Sequence, residues 1–202
     1  MNKNSYCVIM AGGLGKRFWP VSTRACPKQF CDILNVGKSF LRQTFERANQ
    51  IFDTQNIFIV TGTAYEELTK QQIPEIPSEN ILKEPFGKNT APCVAYAAYR
   101  IARVNPHASM VVVPSDHFIT NDAVYLDNIQ KGISFVEQFG GLLTIGINPT
   151  RPETGYGYIQ SSDTVVDDFT KVKTFTEKPN LELAKVFMES GEFFWNSGLF
   201  VW

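Results

Sequence analysis

Residues 6–20, YCVIMAGGLGKRFWP, set a run of five apolar or aromatic residues against three glycines, a lysine and an arginine. A short apolar stretch without alternation reads as a strand buried on both faces of a parallel sheet. Similar runs at Ile57–Thr61, Met110–Pro114 and Leu142–Ile147 predict strands of the same kind. Helical patterns lie between them. Leu41, Phe45, Ala48 and Phe52 share one face. Thr90 is placed to cap a helix in which Ala91, Val94, Ala95, Ala98, Ile101 and Ala102 recur, with Pro92 tolerated in its first turn. A less regular helix spans Val124 to Phe139. This βαβα alternation predicts an α/β fold, a mostly parallel sheet flanked by helices.

After Ile147 the character changes. NPTRPETGYGYIQ is rich in turn residues, FTKVKTFTEKP alternates like a strand, and NLELAKVFMES predicts a short helix with Leu181, Ala184 and Phe187 or Met188 inward. The region reads as a mixed β and loop layer added to the core, within one domain over 1–202. The sequence stops on FFWNSGLFVW, an apolar run without turn or cap, which predicts a chain truncated at its C-terminus.

The 202 residues carry a net charge of -1, with 44% hydrophobic and 19% charged residues, the balance of an ordinary globular protein. No basic excess points to nucleic acid, and no signal peptide or membrane-length apolar run is present, so no membrane partner and a cytoplasmic location are expected. Cys7, Cys26, Cys31 and Cys93 form no CxxC pair and there are two histidines, which argues against structural zinc and against disulfides.

The glycine-rich loop is neither of two familiar types. A G-x-G-x-x-G dinucleotide fingerprint needs glycine at position 18, where Phe18 stands. Gly37-Lys38-Ser39 imitates the end of a G-x-x-x-x-G-K-[ST] loop, but Asp32 occupies the leading glycine position, so this is read as a turn before the Phe40 helix. AGGLGKR nevertheless has the chemistry of a phosphate site: glycines admit an anion to the backbone, and Lys16 and Arg17 supply charge. The alternative is a glycine-rich connection with two solvated cations. Lys28, in CPKQF, adds a second basic element. Asp116 follows the run MVVVPS directly, at the carboxyl end of a predicted strand. If the order is third–second–first–fourth, the first and fourth strands are neighbours and Asp116 faces the loop, suited to Mg²⁺ beside phosphates. The competing reading makes Asp116 a turn or helix cap. His117 is taken as a neighbour by chain only.

The blocks AGGLGKRFWP…PKQF, EPFGKNTAP, VVPSDH, RPETGYGYI, FTEKP and WNSGLFVW occur in this order and together resemble the sugar-1-phosphate nucleotidylyltransferases, most closely the mannose-1-phosphate guanylyltransferase (GDP-mannose pyrophosphorylase) family. The resemblance covers essentially the whole chain. It implies a Rossmann-like, glycosyltransferase-A-type fold whose added β layer binds sugar. The implied reaction takes GTP and mannose 1-phosphate to GDP-mannose and diphosphate, with Mg²⁺.

By this resemblance Gly12, Gly13 and Gly15, with Lys16, lie against the nucleotide, and Arg17 and Lys28 hold its phosphates. Asn89 and Thr90 lie near the base, and Asp116 matches a metal-binding aspartate. Gly157, Glu177 and Asn196 match sugar-contacting positions, and Lys178 matches the lysine that holds the sugar phosphate. Read without it, TEKPN is a strand-to-helix turn and the glycines around Tyr156 are a bulge or a close approach. Lys16 stands where the family usually carries Ser or Thr, and PVST where PLSR is common. The family's second metal-binding aspartate falls beyond Trp202. Two rivals stay open: another sugar-1-phosphate nucleotidylyltransferase, for example for glucose 1-phosphate with dTTP or UTP, and a non-catalytic nucleotide-sugar-binding subunit. The oligomeric state, a homo-oligomer included, is left open.

Overall fold

A computed structural model describes residues 4–13, 15 and 18–202; Lys16 and Arg17, assigned to phosphates by the resemblance, lie outside the described residues. The chain divides into two compact units, one running to Leu143 and taking in Phe200–Trp202, the other Thr144–Leu199. The division falls close to Ile147, where the sequence changes character.

The first unit is built on β1 (Ser5–Ala11), whose Cys7, Val8, Ile9 and Ala11 are almost wholly excluded from solvent. After α1 (Phe40–Ala48), β2 (Ile57–Gly62) pairs parallel to β1 on one side. A short helix, α2 (Glu66–Gln72), leads to β3 (Ile81–Glu84), parallel to β2. α3 (Thr90–Ala102) returns the chain to β4 (Ser109–Pro114), parallel to β1 on its other side with Met10 opposite Pro114. The order is therefore β3-β2-β1-β4. The arrangement expected from the sequence holds with Met110–Pro114 as the fourth strand, because β3 intervenes. That strand is not among those the sequence predicts: ILKE offers only two apolar residues.

Capping residues explain the helix starts. Ser39 Oγ accepts the Arg42 N–H at 3.1 Å and opens α1, so Gly37-Lys38-Ser39 is the turn its sequence implies. Asn121 Oδ1 accepts the Val124 N–H at the head of α4 (Asp122–Phe139). In α3 the expectation needs correction. Thr90 is the first helical residue, not the cap, and Asn89 takes the cap position without a side-chain cap bond. The buried stripe is Cys93, Ala97 and Ile101, with Val94 and Ala98 only flanking it and Ala91, Ala95 and Ala102 exposed. Alanine is a weak marker of a buried face, so the real stripe, four residues apart and led by a cysteine, keeps the expected Ile101 but otherwise lies one position away from the expected one.

β5 (Leu143–Ile147) also departs from expectation. It pairs with β8 and none of its residues is buried. Gly146 makes room there for Phe194, whose Cβ would stand 2.7 Å from an added methyl group.

In the second unit β6 (Tyr158–Val166) and β7 (Phe169–Thr176) form an antiparallel ribbon. Asn180 Oδ1 accepts the Leu183 N–H and opens α5 (Leu181–Ser190), which buries Ala184 and Phe187 and leaves Leu181 half exposed. Leu181 is thus not inward as expected: as the first helical residue it lies beyond the packed stripe. β8 (Phe193–Val201) pairs antiparallel with β6. Tyr158, Ala184, Phe187 and Trp195 form the local core. The last residues of β8, Phe200 and Val201, belong to the first unit and pair antiparallel with β4.

Leu41 is fully buried in α1, whereas Leu142 is 81% exposed. Leu41→Ala should lower unfolding free energy by about 2–5 kcal/mol, and Leu142→Ala should change it by less than about 0.5 kcal/mol. Urea unfolding monitored by circular dichroism checks both.

Candidate active site

The first cluster forms where β1 ends. Ala11 is buried, and its carbonyl accepts both Gln29 Nε2 at 2.9 Å and Thr61 Oγ1 at 3.1 Å. Gln29 Nε2 also reaches the Gly13 carbonyl at 3.2 Å. Two carbonyls that would repel an anion are thereby turned toward Gln29. Gly13 has φ +99° and open space where a Cβ would be, so the chain there stays bare. Gly15, at φ +59°, is different. A Cβ there would fall 2.8 Å from Cβ and Cγ of Lys28. The glycine lets the lysine stem lie across the loop.

Lys28 is delivered by a short turn, Lys28–Phe30, that follows Pro27. Gln29 and Phe30 are buried, and the Phe30 ring meets Tyr65 at 5.8 Å, so the turn is anchored on both residues after the lysine. Lys28 Nζ is ion-paired with Asp116 and lies 5.6 Å from the Phe18 ring centroid. Asp116 is fixed through its neighbour: Ser115 is buried, its N–H donates to the Met10 carbonyl at 3.1 Å and its carbonyl accepts Thr44 Oγ1 at 3.2 Å. The cation expected on phosphates and the carboxylate expected on a metal thus meet in one pair beside the glycine loop. Burial, ahead of the nearby cations, pushes the His117 imidazole below its usual pKa despite Asp116, which leaves it neutral near pH 7.

Glu84 closes the other edge. It ends β3, and its Oε2 would be 3.7 Å from a Cβ on Gly12, so the carboxylate lies along the bare backbone. Burial lifts its carboxyl above the ordinary range. Asn89, at φ 66° and ψ -165°, occupies a region that is essentially glycine's. It and Thr90 are both exposed at the head of α3.

The second unit gathers the four residues assigned to the sugar and its phosphate. A Cβ on Gly157 would stand 3.4 Å from the Thr176 carbonyl and 3.5 Å from Glu177 Oε2. The Asn196 N–H donates to the Gly157 carbonyl at 2.8 Å, and Asn196 Oδ1 accepts the Gly198 N–H at 2.9 Å. Lys178 pairs with Glu177 at 3.0 Å from a backbone at φ 26°, both side chains well exposed. Arg151 lies over the Trp195 ring at 5.5 Å, and Tyr156 packs edge-on to the same ring at 5.4 Å.

No cluster of three or more metal-ligating His, Cys, Asp or Glu side chains exists among the described residues. Asp116 still suits Mg²⁺, which takes one or two carboxylate oxygens and completes its shell with water and phosphate.

Against known families, the nucleotidyl transferase profile matches residues 6–202. The chain belongs to the nucleotidyl transferase family. It is 36% identical over 202 residues to a mannose-1-phosphate guanylyltransferase of Escherichia coli, covering 96% of this chain and 43% of that protein. The chain therefore spans less than half the length of the curated relatives it matches. A solved structure described as mannose-1-phosphate geranyltransferase from Thermus thermophilus superposes with a TM-score of 0.88 at 29% identity, over 98% of this chain and 57% of that one. A putative glucose-1-phosphate thymidylyltransferase from Bacillus anthracis, at 17% identity and TM-score 0.66 over 98% of this chain and 71% of that one, shares the fold. As a nucleotidyl transferase the chain has the expected α/β architecture. Among the described residues no helix is long and apolar enough to cross a membrane.

Three residues of this site are not singled out by the sequence: Gln29, Glu84 and Ser115. Glu84 heads the EPFGKNTAP block and could have been found as the carboxylate ending a short strand. Nothing in PKQF marks Gln29 as the buried member of the turn.

Gly15→Ala should be costly, because it meets both the Lys28 stem and an unfavourable φ; a fall of about 1–3 kcal/mol is expected. Gly12→Ala, whose nearest neighbour is 3.7 Å away, should cost under about 1 kcal/mol. Thermal melts of the two variants make the comparison.

Proposed function

We propose that this chain is the catalytic part of an enzyme that makes GDP-mannose and diphosphate from GTP and mannose 1-phosphate. The observation that supports it most is the Lys28–Asp116 pair at the carboxyl ends of β1 and β4, set against a glycine loop whose carbonyls are tied back by Gln29. Likeness to guanylyltransferases over 96% of the chain supports the choice of substrates.

In this reading a phosphate oxygen of mannose 1-phosphate attacks the α-phosphorus of GTP, a new P–O bond forms, and the bond to the β-phosphate breaks in line to release diphosphate. No protein nucleophile is needed, so the residues act by positioning and by neutralising charge. Gly12, Gly13 and Gly15 give the phosphates access to the backbone. Arg17 and Lys28 hold the triphosphate, and Lys16, next to Arg17 in the sequence, adds charge toward the nucleotide. Lys178 holds the sugar phosphate, while Glu177, Asn196 and the close approach at Gly157 receive the sugar hydroxyls. Asp116 would hold Mg²⁺, which when bound offsets charge on the phosphates. Asn89 and Thr90 lie toward the base. Glu84 is added here: guanine presents two parallel N–H donors on one edge, and a carboxylate accepts both, whereas uracil and thymine offer one.

The test is diphosphate release by the natural full-length polypeptide from GTP, ATP, UTP and dTTP, each with mannose or glucose 1-phosphate. GTP with mannose 1-phosphate should be preferred; preference for dTTP or UTP with glucose 1-phosphate would replace this reading with its rival. Nucleotide-sugar binding without diphosphate release would favour a binding subunit. Lys28→Ala should lower the rate roughly 10²–10³-fold, as for loss of one preorganised charge donor. Glu84→Gln should reduce kcat/KM for GTP by about 10²-fold while leaving other nucleotides nearly unchanged.

A further inference from the structure

Cys26 and Cys31 have no part in the proposed chemistry, yet they bracket the turn that carries Lys28. Their Sγ atoms stand 3.4 Å apart, both thiols are free, and both residues are partly exposed. Cys7 and Cys93, by contrast, are buried. A disulfide bond is about 2.05 Å long, so an approach of about 1.4 Å would convert this contact into a bond. Cys31 Sγ is also within reach of the Cys26 and Pro27 carbonyls, both at 3.4 Å, which a bonded sulfur with no S–H would give up.

We propose that Cys26 and Cys31 are a thiol–disulfide couple that closes a ring around Pro27–Phe30 and so controls where Lys28 stands. The chemistry needs a low-molecular-weight disulfide as oxidant. Cys26 thiolate attacks one of its sulfurs, expelling one small thiol and leaving a mixed disulfide on Cys26. Cys31 then gives up its proton and attacks the Cys26 sulfur, expelling the second small thiol. Two protein thiols are oxidised and one small disulfide is reduced to two thiols. Burial, followed by the Cys26 contact, pushes the Cys31 thiol up to about 11, so little of it is thiolate at neutral pH and the second step relies on the closeness of the two sulfurs.

Within the ring, Gln29 and Phe30 are anchored by burial, so the adjustment falls on Pro27 and Lys28. Lys28 packs its stem where Gly15 has no Cβ and pairs with Asp116, and both contacts depend on the position of the turn. The effect on nucleotide binding rests on the function proposed above; the couple itself does not.

Incubation of the natural polypeptide with glutathione disulfide and glutathione at set ratios, then alkylation and trypsin digestion, reads the couple directly. Cleavage after Arg24, Lys28 and Lys38 separates Ala25–Lys28 from Gln29–Lys38, so the bond appears as these two peptides joined, and disappears in Cys26→Ser and Cys31→Ser. Reduction should restore the separate peptides. Glutathione remaining on each cysteine, or both thiols staying free under a large excess of the disulfide, overturns the proposal. GTP affinity should fall about tenfold or more on oxidation, as expected when a positioned charge shifts by about 1 Å, and neither serine variant should show the change. Joined peptides with unaltered GTP affinity overturn the control of Lys28. No GTP binding in either redox state, with the peptides joined, overturns the nucleotide reading and leaves the couple established.

Discussion

The Ala11 carbonyl fixes the geometry on which the glycine loop and the Lys28 turn depend. Both of its lone pairs are used, one by Gln29 and one by Thr61, in a place closed to water. Leaving either bond unmade would strand a buried polar group at a cost of about 1–3 kcal/mol. The bond from Gln29 joins the end of the central strand to a turn eighteen residues along the chain. A loop that would otherwise be free is thus referred to a rigid strand buried on both faces. Lys28 inherits its place from the residue next to it.

The charges placed there are held loosely because of their surroundings. Lys28 and Asp116 each keep about a quarter of their side-chain surface exposed, so their attraction is screened and modest. Arg47 shows the alternative: it is buried, bonded to Asp122 at 2.6 Å, and belongs to the framework between α1 and α4. A screened pair can be exchanged, and on the proposed reading a triphosphate and its divalent ion would offer each member a more strongly charged partner. His117, held neutral by burial, adds no charge to that exchange.

Much of this was legible in the sequence because burial on both faces leaves a plain mark. The runs that became β1, β2 and β4 are almost wholly apolar, and the turns read before α1 and α5 carry Ser39 and Asn180, which cap those helices. What failed to read had no such mark. β3 is four residues long with only its first two buried, and its existence was needed to make Met110–Pro114 the fourth strand. β5 looks apolar but is not enclosed. The helix α3 offers so many alanines that its inward face could not be told from its flanks. For the site, the glycines, Lys28 and Asp116 stood out as residue types in context, whereas Gln29 is an ordinary polar residue whose importance comes entirely from where tertiary structure buries it.

Backbone conformation supplies an argument for the site that owes nothing to motif likeness. Four described residues other than glycine have positive φ: Asn35, Asn89, Asp167 and Lys178. Asparagine and aspartate tolerate this region because their short side chains bond locally, which accounts for Asn35 and Asp167 as turn residues. The other two are harder to dismiss. Asn89 combines its φ with an extended ψ that glycine alone finds easy, and it makes no cap bond in return. Lys178 is a long residue that rarely adopts this region, and its Nζ pairs with the neighbouring Glu177 carboxylate. Strain of this kind costs on the order of 1–3 kcal/mol and persists only where surrounding structure enforces it. Helices begin perfectly well without it, as α1 and α4 do behind Ser39 and Asn121. That it falls on the residue proposed to face the base and on the one proposed to hold the sugar phosphate supports placing substrate at both.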